Sequence, residues 1–142
     1  MYTENQYTEF SESMEKRFSK MFEEKYGGFA IGTGWWPIVE SLCVNIQSHI
    51  DHKEKQGQPI PQVVVEQIKE KFGGLRFYYQ GGDDQVAGMV RMAEAWAAYS
   101  CEECGSPGKR TSEGWIKNLC EFHLAEREAV RAEEMRKSGF EE

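Results

Sequence analysis

An α+β fold is predicted, with helices set around a short antiparallel β-hairpin and a cysteine-bearing C-terminal module that ends in a helix. Three observations carry the prediction. Apolar residues recur every three or four positions in separate segments, an alternating run follows Gly73-Gly74, and Cys101, Cys104, Cys120 and His123 form two close pairs. Two units follow: residues 1–100 as the α+β body, and residues 101–142 as the C-terminal module with its helix.

The first helix is expected from residue 8 to about residue 26, where Phe10, Met14, Phe18, Met21, Phe22 and Tyr26 make one stripe, closed by Gly27-Gly28. A glycine-rich turn, Gly32-Thr33-Gly34-Trp35-Trp36-Pro37, leads into the second helix. Pro37 suits its first turn, where a missing N–H costs nothing. Ile38, Leu42, Ile46 and Ile50, with Val39 and Cys43, give that helix a buried face, and it ends before Pro59.

Val63-Val64-Val65 opens a β-rich run, and Leu75-Arg76-Phe77-Tyr78-Tyr79 alternates its faces. Gly73-Gly74 between them reads as a tight two-residue turn, so Leu75, Phe77 and Tyr79 face one way and Arg76 and Tyr78 the other. The charged stretch 66–71 also suits a helical turn. Asp83 and Asp84 cap a third helix marked by Val86, Met89, Val90, Ala93, Trp96 and Ala97, and a last helix runs to about Lys137.

In Cys101-Glu-Glu-Cys104-Gly105, the two-residue gap lets one tight turn present both thiolates to a single ion, and Cys120-Glu-Phe-His123 supplies a second pair at a helix start. Four N/S ligands of this kind suit a structural zinc ion. Knuckle, short β excursion through Gly114-Trp115, then ligands at a helix start resembles a treble-clef zinc finger. A redox CxxC would need no second pair, and a reducing compartment disfavours a disulfide. A hydrolytic zinc keeps an open position and a nearby base. Here four protein ligands close the shell, and no other catalytic constellation is visible, so a non-enzymatic protein is expected.

His49 and His52 sit on the second helix without a third ligand and read as polar helix-end residues; Cys43 reads as a core thiol. Trp35, Trp36, Arg76 and Tyr78 lie near glycine-rich turns among other aromatics. They suit a partner contact, a nucleotide stacked between rings with Arg76 on its phosphate, or a core with tryptophans at its edge. Lys109 and Arg110 form a small basic patch open to nucleic acid. A charge of −7 from 17 basic and 24 acidic residues argues against nucleic-acid binding as the main activity.

With 39% apolar and 13% aromatic residues the chain can bury a real core. No run approaches the ~18–20 apolar residues of a membrane span, and from the polar start Met1-Tyr2-Thr3-Glu4-Asn5 no secretory leader is expected. A cytoplasmic protein is expected, with no membrane partner.

Three stretches together resemble a family of small bacteriophage and prophage proteins: Gly34-Trp35-Trp36-Pro37, the run from Gln67 to Tyr78 (QIKEKFGGLRFY), and CEECGSPG with the later Gly114-Trp115 and Leu119-Cys120. The resemblance runs from about Gly34 to His123 and leaves residues 1–28 uncovered. It implies a phage or prophage setting, and so a host bacterial cytoplasm, and it assigns no mechanism. The expected role is a zinc-stapled accessory protein that binds a host or phage macromolecule, as an inhibitor of host defence or host machinery. A nucleotide-binding protein, a zinc-finger nucleic-acid binder and a homo-oligomer stay open as alternatives.

Overall fold

Helix α1 spans Glu4–Arg17 and starts ahead of its apolar stripe, because Thr3 and Gln6 close a capping box: each side chain accepts the other's backbone N–H. The computed structural model describes residues 2–23 and 26–139. Contrary to the sequence pattern, α1 ends at Arg17. Phe18, Met21 and Phe22 turn into the core outside the helix, and the Met21 carbonyl accepts the Val65 N–H at 2.8 Å. Tertiary contact overrides local periodicity here. Residues 24 and 25 of the predicted helix lie outside the described residues.

Strand β1 (Phe29–Ala30) and a 3-10 turn at Thr33–Trp35 lead into α2 (Trp36–Lys55), which carries Pro37 in its first turn and buries Val39, Leu42, Cys43, Ile46 and Ile50. Strand β2 (Val64–Lys71) then pairs antiparallel with β3 (Gly74–Gln80) and parallel with β1, giving the order β1-β2-β3. The two-residue β1 is too short to leave a pattern in the sequence. Residues 66–71 are strand and not helix: Ile68 fills the core, and Glu70 Oε2 accepts the Gly73 N–H at 2.7 Å.

The hairpin turn sits one residue earlier than predicted. Lys71 pairs with Gly74, so the central residues are Phe72 and Gly73, with φ of 52° and 79°. Two positive φ angles in a two-residue loop match the twist of the flanking strands. Leu75 and Phe77 point into the core as expected, while Tyr78 is exposed.

Helix α3 (Asp84–Ala97) is capped by Asp83, whose carboxylate accepts the Val86 N–H at 3.0 Å, and it packs Val86, Val90, Ala93 and Ala97 inward. The C-terminal part holds β4 (Lys109–Arg110) paired with β5 (Asn118–Leu119), then α4 (Glu121–Lys137). Gly114 and Trp115 lie in the loop between those strands, not in a strand of their own. The result is a mixed α+β structure with one main core. Among the described residues, no helix is long and apolar enough to cross a membrane.

Candidate metal centre

Cys101 lies just past α3, and the chain folds back on itself at once. Cys101 N–H donates to the Ser106 carbonyl at 2.7 Å, and Gly105 N–H donates to the Cys101 carbonyl at 2.8 Å. Gly105 takes φ +81°, a conformation that glycine adopts without steric penalty. This knuckle presents Cys101 and Cys104. Cys120 is the N-cap of α4, where its sulfur accepts the His123 N–H at 3.4 Å. One residue thus both starts the helix and offers a ligand, and His123 follows in the first turn.

The four ligand atoms lie within 4.8 Å of one another. Cys101 Sγ is 3.6 Å from His123 Nδ1, Cys120 Sγ is 3.3 Å from the same nitrogen, and Cys104 Sγ is 3.8 Å from Cys120 Sγ. The donors form a Cys3His set that can hold a metal ion. Cys104 is lowered to about 6, first by hydrogen bonding from the Ser106 hydroxyl and then from backbone N–H. Cys120 is lowered chiefly by the His123 N–H, whereas burial raises Cys101.

The knuckle rests on the loop before α2. Gly34 N–H donates to the Glu102 carbonyl at 2.7 Å, the Thr33 hydroxyl to the Glu103 carbonyl at 2.8 Å, and Trp35 Nε1 to the Ser100 carbonyl at 2.9 Å. Glu102 is 6% exposed; its Oε2 accepts the Gly32 N–H at 2.9 Å, and its Oε1 lies 3.7 Å from Lys117 Nζ. Burial raises its pKa. Lys117 also reaches Glu70 Oε1 at 3.4 Å, so two carboxylates share one ammonium at the seam between β2 and the metal module. Among the described residues no carboxylate joins the ligand cluster.

The other sequence candidates separate. Trp35 is 0% exposed, which removes it from any contact surface and assigns it to the core. Trp36 is half-buried and stacks on Phe10 at 4.4 Å. Arg76 and Tyr78 stand on the outer face of the hairpin, so Trp35 and Arg76 do not form one stacking slot. His49 Nε2 lies 2.9 Å from Asp83 Oδ2 and fastens α2 to the α3 cap. Cys43 is a buried core thiol, pushed up to about 12 by burial. Lys109 and Arg110 are exposed, and Arg110 Nε donates to the Phe72 carbonyl at 2.8 Å, bringing the basic arm to the hairpin tip.

Sequence reasoning missed Lys69 and Lys71, and placed Phe72 only among the aromatics around the glycine-rich turns. Strand alternation with the turn placed one residue earlier would have set both lysines beside Arg76 and Tyr78. No family model, curated protein or solved structure matches the chain.

Proposed function

We propose that Cys101, Cys104, Cys120 and His123 hold a structural zinc ion in a treble-clef-like module, and that the protein is a non-catalytic macromolecule-binding protein of phage or prophage setting. The spacing of the donors carries the zinc reading. A tetrahedron with Zn–S of about 2.3 Å and Zn–N of about 2.05 Å has edges of about 3.8 Å between sulfurs and about 3.6 Å between sulfur and nitrogen. The Cys104–Cys120 and Cys101–His123 separations are 3.8 and 3.6 Å, and Cys120–His123 is shorter at 3.3 Å.

Knuckle, β4–β5 pair and a helix whose start supplies two ligands follow in the order of a treble clef. Four protein ligands fill the shell, and the nearby Glu102 is already engaged by the Gly32 N–H and Lys117. That supports a structural role over a hydrolytic one. The partner-contact surface is the exposed hairpin face of Arg76 and Tyr78, and the setting is a host bacterial cytoplasm.

Elemental analysis of reductant-treated protein will return one zinc per chain, and Cys104→Ser will lose it. Less than half an equivalent in the unaltered protein removes the zinc reading. Arg76→Ala will abolish capture of the partner from host lysate while leaving zinc content unchanged; undiminished capture removes Arg76 from the contact surface.

A further inference from the structure

We propose that the outer face of the β2–β3 hairpin, extended by the β4 arm, binds single-stranded nucleic acid. The proposal rests on the reading of that face as the contact surface and names the partner's chemistry.

Register places Lys69 directly opposite Arg76, and Gln67 opposite Tyr78, all on one face. Two cations facing each other across strands repel, so the pair lowers the stability of the sheet that carries it. The chain has 24 acidic residues against 17 basic ones, so the opposed cations do not reflect a shortage of acid. Glu66 on the same strand is held by Gln80 at 3.0 Å, and Glu70 is engaged by Gly73 and Lys117. Glu66 keeps its charge, since the Gln80 amide is neutral, but Lys69, Lys71 and Arg76 outnumber it, so this face of a chain of charge −7 stays positive.

Phe72 makes a second costly choice. It is a non-glycine residue at φ 52° and is 60% exposed, although Asn or Gly suits that turn position far better. Local stability gains nothing from a large apolar ring there. Lys71 Nζ lies 6.0 Å from the Phe72 ring, and Lys69 Nζ lies 6.0 Å from the ring of Tyr78, which is 40% exposed. Each open ring therefore has an ammonium beside it.

Arg110, tied to the Phe72 carbonyl, and exposed Lys109 continue the positive charge past the tip. Gly73 permits this approach, since a Cβ there would meet the Lys117 backbone at 3.1 Å and Arg110 Cγ at 3.3 Å.

Rings for stacking, alternating with cations for phosphates along an open sheet face, are the arrangement that single strands recognise. Successive same-face positions on a strand lie about 7 Å apart, so the face runs from tip ring to cation row to Tyr78. A duplex keeps its bases stacked inside and offers these rings nothing. An acidic peptide would meet the cations and leave the rings unused.

The test is fluorescence anisotropy of the zinc-loaded full chain with labelled 15-mers of dT and U and a mixed-sequence duplex, at 50 and 200 mM salt. Either single strand will bind more tightly than the duplex, and binding will weaken at the higher salt. Tyr78→Ala and Phe72→Asn will each weaken binding at least about fivefold. Phe72→Asn is compatible with the turn, so its melting temperature and zinc content show that any loss is not unfolding. Three results each overturn the proposal: no strand binding at 100 μM protein, equal binding of duplex, or strand binding that survives both ring substitutions. If strands fail to bind while capture of a protein still depends on Arg76, the contact-surface reading stands and the nucleic-acid assignment falls.

Discussion

Gly34 lies against the Cys101 backbone with no room for a side chain: a Cβ there would sit 2.5 Å from the Gly105 nitrogen and closer still to the Cys101 carbonyl oxygen. The obstruction is backbone on both sides, so the loop before α2 and the metal knuckle are fitted to each other. Gly34→Ala is expected to cost about 3 kcal/mol by overpacking, a fall of roughly 10 °C in melting temperature. Gly88→Ala supplies the opposite sign. Its Cβ would meet only Arg91 Nη2 at 3.8 Å, inside α3, so helix propensity will raise stability by up to about 1 kcal/mol.

Chelation will disturb more than the metal module. The Trp35 indole donates to Ser100, which precedes the first ligand, so metal loss will loosen the one fully buried tryptophan. A strong chelator will shift Trp35 emission to longer wavelength, read in a variant with Trp36, Trp96 and Trp115 changed to Phe. Unshifted emission after complete zinc removal would show that the contact stands without the metal.

Phe72→Asn is expected to make the protein more stable, because Asn tolerates the left-handed backbone at that turn position. Relief of about 1 kcal/mol corresponds to a rise of roughly 3 °C, measured by thermal denaturation. A fall would mean that the exposed ring supports the fold.

Asp83 carries a testable acid dependence. Its pKa is lowered first by its hydrogen bond with His49 and then by the Val86 N–H. A carboxylate depressed in the folded state contributes stability above its unfolded value of ~3.9 and loses it as pH falls through the folded value. Asp83→Asn keeps a side chain able to cap α3 but removes this titration. Urea midpoints from pH 7 to pH 3 will therefore converge for the two proteins on the acid side and separate near neutrality. Parallel curves would remove Asp83 from the acid response.

The ligand set was legible because metal geometry imposes its own spacing on the chain, and Cys101, Cys104, Cys120 and His123 do come together. Helix α2 was legible for a similar reason: Pro37 and the stripe from Val39 to Ile50 state the same start and the same face. The hairpin was found, but its turn was misplaced by one, since Gly73-Gly74 is the better local choice and Phe72 takes a position against its own preference. The end of α1 and the parallel pairing of β1 depend on Met21 and Phe29 meeting residues 65 and 68, more than 35 positions away. No local pattern encodes that distance. Trp35 misled because aromatic residues beside glycines suit a binding rim and a packed junction equally well.

The floor beneath the start of α2 comes from residues 65 and 70 positions further along the chain. At ribosomal rates of ~5–20 residues per second, the emerging N-terminal half waits on the order of seconds for its support. During that interval the Trp35 indole N–H and the Gly32 and Gly34 N–H groups lack their final acceptors. A transcript cut short before Ser100 would release a product whose Trp35 indole N–H lacks its acceptor, a natural client for chaperones and proteases.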